Sequence, residues 1–326
     1  MHCLSCDKKP VISLQQGPLC PSCFASYFER KVYATVRKHR LFSKRDVLCV
    51  ACSGGKDSMS VLHLMHRLAL KQRQRLFALG IDEGVEGYRD RQLEDMASYC
   101  DANGIERHII TFAGSFGGGI GPLHARCKEA GVSVSRCALC GLLRRRLLNS
   151  SARGLGATRI ITGHNMDDEA QTMLMNLFRG GPELAARMGP VSGAAGHGAF
   201  VPRVKPLYYC TDKETALYAR LAKLRVMMRP CPYRERSYRA YVAEKLDAIE
   251  ADFPGTKSTV VSNLLGILPL LKREYAGSAI PGCRLCGEPS KKGTCAVCRI
   301  LGASRSPPDP SGTRSRGRSR PTGNPR

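Results

Sequence analysis

Residues 46–58 read DVLCVACSGGKDS, and this stretch decides the fold. Val47 to Cys52 is an apolar run without the polar alternation of a half-exposed strand, so it suits a short parallel strand buried on both faces. Ser53, Gly54, Gly55, Lys56, Asp57 and Ser58 follow at once, and an apolar-periodic helix runs from about Ser58 to Leu70. Gly54 and Gly55 let the backbone close on an anion and turn its N–H groups inward. Ser53 and Ser58 add hydroxyl donors, Lys56 adds a point charge, and the helix N-terminus favours negative charge. Strand, small-residue loop and helix in this order are what phosphate binding requires. The G-x4-G-K-[ST] spacing of a Walker A loop is absent.

Outward from this unit, strand and helix signals alternate. Leu76–Asp82 reads as a second strand, with Asp82 at the C-terminal end where ligands of open α/β sheets bind. A helix over about 89–103 leads to a strand over 107–112. A Gly-rich loop at 114–121, a helix over about 141–154, a strand over 158–163 and a helix over about 167–178 complete the series. Such alternation means crossover connections and a parallel sheet. Asp167 and Asp168 open the last of these helices. They either cap it and meet its dipole, or one of them holds Mg²⁺ against phosphate oxygens; Asp57 could serve the same ion. Residues 189–199 (GPVSGAAGHGA) read as a flexible loop, and Asp212 to Leu271 as a helical region. The tail after Leu301, rich in Ser, Arg, Pro and Gly, is expected to be disordered.

The 16 cysteines are grouped. Cys3, Cys6, Cys20 and Cys23 form one C-x2-C pair of pairs, and Cys283, Cys286, Cys295 and Cys298 form another. Each has the spacing that folds four thiolates around one Zn²⁺. Cys137 and Cys140 form an isolated C-x2-C at the start of a basic helix, and Cys231, between two prolines, is a third candidate. Three thiolates with one open position suit a 4Fe–4S cluster. Persulfide chemistry, a third structural zinc, or simple burial remain the alternatives. Cys49, Cys52, Cys100, Cys127 and Cys210 read as core or structural residues. Of the triplet Arg144, Arg145 and Arg146, two are expected on a solvated face, and Arg144 is expected to point back toward Cys140 and the phosphates.

Lys plus Arg number 51 and Asp plus Glu 27, a net charge of +24. Residues 304–326 contribute six Arg and one Asp, a net of +5, so +19 belongs to the rest. This balance favours a polyanionic partner such as nucleic acid. The start of the chain, MHCLSCDKKP, lacks the apolar run of a secretory leader. The longest apolar stretch, 260–271, is shorter than the roughly 20 residues of a membrane helix. A soluble, cytoplasmic protein with no membrane association is expected, and in a reducing compartment paired cysteines bind metal or do chemistry.

SGGKDS after a buried strand resembles the PP-loop of the ATP pyrophosphatase superfamily, whose members cleave ATP between the α and β phosphates to adenylate an acceptor. IDEG (81–84), GYRD (87–90), CALCGLLRRR (137–146), TGHNMDD (162–168), LMN (174–176) and KPL (205–207) recur in order. Together with the terminal cysteine sets, they make the chain resemble the cytoplasmic tRNA 2-thiolation family over about residues 1–300. The resemblance implies an α/β, Rossmann-like (adenine-nucleotide α-hydrolase-like) parallel sheet. It implies ATP and Mg²⁺ at Ser53–Ser58, Asp82, Arg144, Gly163 and Asp168, with Lys205 facing nucleotide or tRNA. It implies catalysis by Cys137, Cys140, Cys231, Asp57 and Asp168, and two zinc ions at the ends. The wobble uridine of tRNAs for Lys, Glu and Gln would be the substrate. Sulfur would come from a ubiquitin-like carrier bearing a C-terminal thiocarboxylate, and a second, related subunit or a second copy would complete a dimer.

The domain organisation expected is a zinc knuckle at 1–30, the PP-loop domain at 31–210, a helical region at 211–276, a second knuckle at 277–303 and a basic tail at 304–326. Cytidine thiolation or a lysidine-type reaction, and a non-enzymatic zinc-ribbon RNA-binding protein, are the rival readings. The lysidine type has no use for three central cysteines, and a retired loop would not have kept its aspartates.

Overall fold

The structure is a computed structural model that describes residues 2–179, 181–193, 200–233, 237–275, 281–290 and 292–302. The tail at 304–326 and residues 194–199 of the expected flexible loop lie outside the described residues.

The chain begins with an antiparallel hairpin, β1 (Ile12–Leu14) and β2 (Gly17–Leu19), followed by α1 (Pro21–Lys38). The alternating series is β3 (Leu48–Ala51), α2 (Lys56–Gln72), β4 (Leu76–Asp82), α3 (Arg89–Ala102) and β5 (Glu106–Thr111). A short α4 (Phe112–Phe116), α5 (Ile120–Glu129), α6 (Arg136–Gly154), β6 (Arg159–Ile161) and α7 (Met166–Phe178) come next. After α8 (Pro182–Ala185), β7 (Val191–Ser192) and β8 (Arg203–Val204) come α9 (Asp212–Leu221), α10 (Tyr238–Asp252), α11 (Thr256–Glu274) and α12 (Ala296–Ile300). None of the described helices is long and apolar enough to cross a membrane.

The main sheet has the order β5-β4-β3-β6-β8-β7. It is parallel from β5 to β8, and β7 runs antiparallel along the edge. Leu48, Cys49 and Val50 of β3 are fully buried, as the unbroken apolar run requires. Leu48 lies opposite Leu76 of β4 on one side and Arg159 of β6 on the other. Chain order therefore reverses between β3 and β6. That is where the loops at the carboxyl ends of two neighbouring strands diverge and leave a crevice for a ligand. The two loops are SGGKDS and TGHNMDD.

Three features depart from the sequence reading. The helix expected from about 141 begins at Arg136, because the Ser135 hydroxyl accepts the Ala138 N–H and starts it earlier. Phe112 leaves β5 because the Thr111 hydroxyl accepts the Gly114 N–H, and the expected Gly-rich loop winds into α4 and the start of α5. The expected helical region from Asp212 to Leu271 is interrupted between α9 and α10 by a non-helical stretch that carries Cys231. α9 ends where Lys223 turns left-handed with φ of +53°, and Pro230 and Pro232, each lacking an N–H and disfavouring helix in the residue before it, keep the segment around Cys231 non-helical.

The sequence reading did not anticipate α1. Its Phe24, Phe28, Val32 and Val36, four residues apart, are buried in the core formed with α2 and β3. Phe28 stacks on Tyr218 of α9 with ring centroids 4.5 Å apart. Lys31 reaches the buried Glu214 at 2.8 Å, and Glu214 also closes the capping box that starts α9. The helix runs straight through the expected boundary at 30/31, so the cysteines at its start are fixed to the sheet by the same apolar stripe. Lys31→Met should leave Glu214 buried without its cation and cost about 3 kcal/mol of stability in urea unfolding. An unchanged midpoint would show that this pair does not hold α1 to α9.

Candidate functional site

Gly54 has φ of +76°, and a Cβ there would lie 2.2 Å from the Gln92 carbonyl oxygen. Only glycine fits this bend. Inside the loop, the Ser58 hydroxyl accepts the Ser53 N–H at 3.1 Å and donates to the Gly55 carbonyl at 3.0 Å, so the two serines hold the turn closed. Lys56 Nζ does not stand free. It lies 2.8 Å from Asp57 and 2.6 Å from Asp212 at the start of α9. Asp57 is drawn upward from the usual carboxylate range by burial and by the neighbouring charges of Asp212 and Asp168, with Lys56 opposing. Three carboxylates and one ammonium at the mouth of an anion loop are suited to a divalent cation bridging phosphate oxygens.

The loop after β6 closes the other wall. A Cβ on Gly163 would lie 2.8 Å from the Ser58 backbone nitrogen, so the two loops touch backbone to backbone at that glycine. Asn165 and Asp168 form a reciprocal capping box at the start of α7, and Asn165 Nδ2 also donates to Asp57 at 3.1 Å. Asp168 therefore takes the capping role weighed for it, and it also stands near enough to Asp57 for their charges to interact, with Arg239 at 3.3 Å. Asp167 turns away to Lys257 of α11 and accepts the Asp212 N–H at 2.9 Å. His164 touches solvent at the floor of a crowded cleft. Although its ring reaches solvent, desolvation by the crowded surroundings and the cations Lys205, Arg239 and Arg203 lower its pKa to about 4 against the opposing charge of Asp168, so it is neutral at pH 7. Lys205 pairs with Glu169 at 2.6 Å, both buried, which ties β8 to α7.

Asp82 accepts the Gly84 N–H at 2.8 Å and shapes the turn after β4. Its neighbour Glu83, given no role in the sequence reading, is the buried one. Arg89 and Arg144 both pair with it. Arg89 also donates to the Ser53 carbonyl at 2.6 Å, and Arg144 reaches Cys140 Sγ at 3.4 Å. Arg144 thus points to Cys140, and it reaches the PP-loop through Glu83 and Arg89.

Cys137 and Cys140 lie one turn apart on α6. Cys137 Sγ donates to the Tyr233 carbonyl at 3.0 Å, and Arg136 stacks over the Tyr233 ring at 4.3 Å, which docks the Cys231 segment on the start of α6. Burial raises both thiols, with the charge of Cys231 adding to the effect on Cys137 and that of Arg144 opposing it on Cys140. Among the described residues, the metal-sized groups whose ligand atoms all lie within 4.8 Å are the two terminal cysteine sets, not these three. Wider spacing suits cysteines that each bind a different iron of a cluster; a single zinc needs its sulfurs to converge.

The terminal sets do converge. Cys6 lies 3.5 Å from Cys20 and 3.8 Å from Cys23, and Cys286 lies 3.6 Å from Cys295. Zn–S bonds of about 2.3 Å give a tetrahedron with S···S edges of about 3.8 Å, so both sets fit zinc. The second set brings a correction. Arg146 is no solvated member of its triplet: its Nη1 lies 3.0 Å from Cys286 Sγ and 3.5 Å from the sulfurs of Cys295 and Cys298. Farther along α6, Asn149 and Arg153 hold Glu288 of the same knuckle at 3.0 and 2.7 Å. Of the triplet, Arg145 keeps to the exposed face. Cys49, Cys52, Cys100, Cys127 and Cys210 are buried, as expected; burial pushes Cys52 up to about 11 and Cys100 up to about 12, which makes them inert.

Glu83, Arg89, Asp212 and Arg239 were missed: Glu83 lies only six residues from Arg89 but also depends on Arg144 of α6, and the other three act on partners 36 to 156 residues away. IDEG and GYRD were the available signal for the first two. The contact at Gly163 yields a test. Gly163→Ala should displace the PP-loop, weakening ATP binding by more than about ten-fold in calorimetric titration, while overpacking costs only about 1–3 kcal/mol of fold stability. Wild-type ATP affinity in this variant would show that the two loops do not form one site.

The PP-loop domain family matches residues 25–247. Over 305 residues the chain is 36% identical to the cytoplasmic tRNA 2-thiolation protein 1 of Mus musculus, covering 92% of this chain and 71% of that protein. It is 32% identical to the tRNA-5-methyluridine(54) 2-sulfurtransferase of Pyrococcus horikoshii, over 93% of this chain and 94% of that one. A solved structure, the U34-tRNA thiolase NcsA from Methanococcus maripaludis with its 4Fe–4S cluster, superposes with a TM-score of 0.78 at 29% identity, covering 94% and 98% of the two chains.

Proposed function

The chain belongs to the tRNA 2-thiolation family of PP-loop proteins, and from that premise we propose that it replaces the 2-oxygen of a tRNA uridine by sulfur in two consecutive steps at one site. The observation that carries this reading is Glu83, which is paired on one side with the arginine that grips the PP-loop and on the other with the arginine beside Cys140. A continuous set of contacts thereby joins the nucleotide loop to Cys140.

In the first step the uridine O2 attacks the α-phosphorus of ATP, the N3 proton leaves, and the Pα–O bond to pyrophosphate breaks. The PP-loop backbone and Ser53 and Ser58 position the departing phosphates, and Lys56 balances their charge once phosphate oxygens displace its carboxylates. Asp57 and Asp168 would hold Mg²⁺, whose contribution is to neutralise the phosphate charge. In the second step sulfide, as HS⁻, bonds to C2, the C2–O2 bond breaks, the oxygen departs in AMP, and the proton carried in on sulfur returns to N3. Hydrolysis of a thiocarboxylate breaks its C–S bond, leaves the carrier as a carboxylate and frees sulfur already at the sulfide level, so no electron donor is required. A ubiquitin-like carrier is the donor in this reading, and a related subunit or a second copy completes the assembly. Cys137, Cys140 and Cys231 would hold a 4Fe–4S cluster, which supplies an iron free of protein thiolate and able to accept a soft anion. Arg144 keeps a cation beside this centre, and the neutral His164 offers the cleft a hydrogen-bonding ring without charge.

Uridine 34 is favoured over position 54 by the superposition with the U34 thiolase, and the two are separated by mapping 2-thiouridine in tRNA from cells lacking the protein. Loss at the wobble position alone is expected. Cys137→Ser, Cys140→Ser and Cys231→Ser should each abolish 2-thiouridine formation on a tRNA transcript under anaerobic conditions while ATP and tRNA still bind, because Ser is a poor iron ligand. Normal thiolation by all three variants would refute the second step, and loss of ATP binding would make the cysteines structural.

Two zinc ions per chain are expected at the terminal knuckles. Arg146→Met removes the cation that faces three thiolates of the second one. It should raise the rate of zinc release to a chelator by about ten-fold or more, as loss of an outer-shell partner does. Release no faster than in the unaltered protein would deny Arg146 that role.

A further inference from the structure

Glu83 sits directly after β4 and is 1% exposed. Both of its oxygens are taken by guanidinium groups. Arg89 donates through Nε to Oε2 and through Nη2 to Oε1 at 3.2 Å, and Arg144 Nε lies 2.9 Å from Oε1. Each arginine then reaches on in a different direction. Arg89 Nη1 donates to the Ser53 carbonyl at 2.6 Å and to the Gln92 side chain at 2.9 Å, and the Gln92 carbonyl is the atom that backs Gly54. Arg144 Nη2 lies 3.4 Å from Cys140 Sγ. The contacts form an unbroken path from the PP-loop backbone to a central cysteine, built from β4, α3 and α6.

The charge count along this path is unequal. One carboxylate serves two guanidinium groups. Arg89, with its side chain 7% exposed, is enclosed, whereas Arg144 at 44% has an open face toward the cleft. A buried carboxylate strongly resists losing its cations, because the charge left behind has no solvent. Glu83 therefore constrains both arginines at once, and the surplus positive charge is presented where Arg144 meets the sulfur.

We infer that Glu83 is a positioning residue that couples the PP-loop to the sulfur centre, holding Arg89 under the loop and Arg144 against Cys140 so that the two steps occur at a fixed separation. This rests on the reading of Cys140 as part of the sulfur centre. Glu83 itself touches neither nucleotide nor sulfur. Its carboxylate sets where two other groups point.

The test uses the full-length, metal-loaded protein and two readouts: the affinity for ATP, and 2-thiouridine formed at saturating ATP. Glu83→Gln keeps the shape and removes the charge. It should weaken ATP binding about five-fold and lower thiolation about ten-fold or more. Arg144→Met should lower thiolation and leave ATP affinity within about two-fold, and Arg89→Met should weaken ATP binding. Because both arginines act through one carboxylate, the Arg89→Met/Arg144→Met double variant should lose less thiolation than the product of the single losses. That cycle decides the matter even where Glu83→Gln folds poorly. Wild-type ATP affinity in Glu83→Gln, or multiplying losses in the double variant, would overturn the coupling. ATP affinity is read without any contribution from the cysteines. If Cys140→Ser thiolates normally, the sulfur-centre reading fails on its own evidence and is told apart from a failure of Glu83.

Discussion

Two backbone segments approach within contact at the C-terminal edge of the sheet, and the rest of the site depends on that approach. Gly54 leaves no room for a Cβ beside the Gln92 carbonyl, and Gly163 leaves none beside the Ser58 nitrogen. A methyl group at either place would push the loops after β3 and β6 apart. The order of strands permits this contact, because β3 and β6 are neighbours whose following loops leave toward α2 and α7, and the two glycines let the loops close at their base. Close approach brings Asp57 and Asp168 near enough for their charges to interact and lets Asn165 bond Asp57. The carboxylates gathered there repel one another, and Lys56 and Arg239 offset that repulsion. A cation with its phosphates would replace those internal pairings with its own.

The helix α6 is the second organising element. Its first two turns carry Cys137 and Cys140, and Arg144, Arg146, Asn149 and Arg153 then make contacts in succession along it. Arg144 engages Glu83, Arg146 engages the sulfurs of the C-terminal knuckle, and Asn149 and Arg153 hold Glu288. Four thiolates on one Zn²⁺ carry a net charge of −2, so a guanidinium at 3.0 Å from one sulfur is both a hydrogen-bond donor and a counter-charge. Leu139, Leu143 and Leu147 on the same helix pack with Ile81, Phe112 and Val297, placing knuckle, strand end and helix in one apolar cluster. The C-terminal knuckle thereby braces the helix that presents the central cysteines. The N-terminal knuckle is likewise fixed to the sheet, through the apolar stripe of α1.

What was legible in the sequence was what is local. The buried run before SGGKDS, the alternation of strands with helices, and the paired C-x2-C spacings each place their own chemistry, and the parallel sheet and the convergent sulfurs follow. Ranges shifted where capping by Ser135 and Thr111 outweighed apolar periodicity. The phosphate loop was legible, but the company of Lys56 was not, since Asp212 lies 156 residues away. The same holds for Arg146, whose partner sulfurs are 140 to 152 residues distant. A run of three arginines looks like a solvated face because composition does not say which turn of a helix meets another element. Glu83 was hidden for a related reason. In IDEG the acid that ends the strand, Asp82, draws the eye, yet the one that turns inward is decided by the bend at Gly84 and by two arginines from other helices.

Charge is partitioned by depth, and that partition bears on how a polyanion can be handled. Lys31, Lys56, Arg89, Lys205 and Lys257 are committed to carboxylates in protected surroundings. Such pairs are short-ranged and weakly screened, so salt hardly reaches them. With 27 acidic residues against 51 basic ones, the acids are exhausted well before the bases, and the surplus must be met by solvent and counterions at the surface. Surface cations of this kind neutralise phosphates of a nucleic acid by releasing its counterions, an interaction that weakens steeply with salt. Holding a tRNA and holding the reacting groups are therefore physically separate tasks here. The first is diffuse, exchangeable and set by net charge. The second is fixed by buried pairs and by glycines that tolerate no added atom.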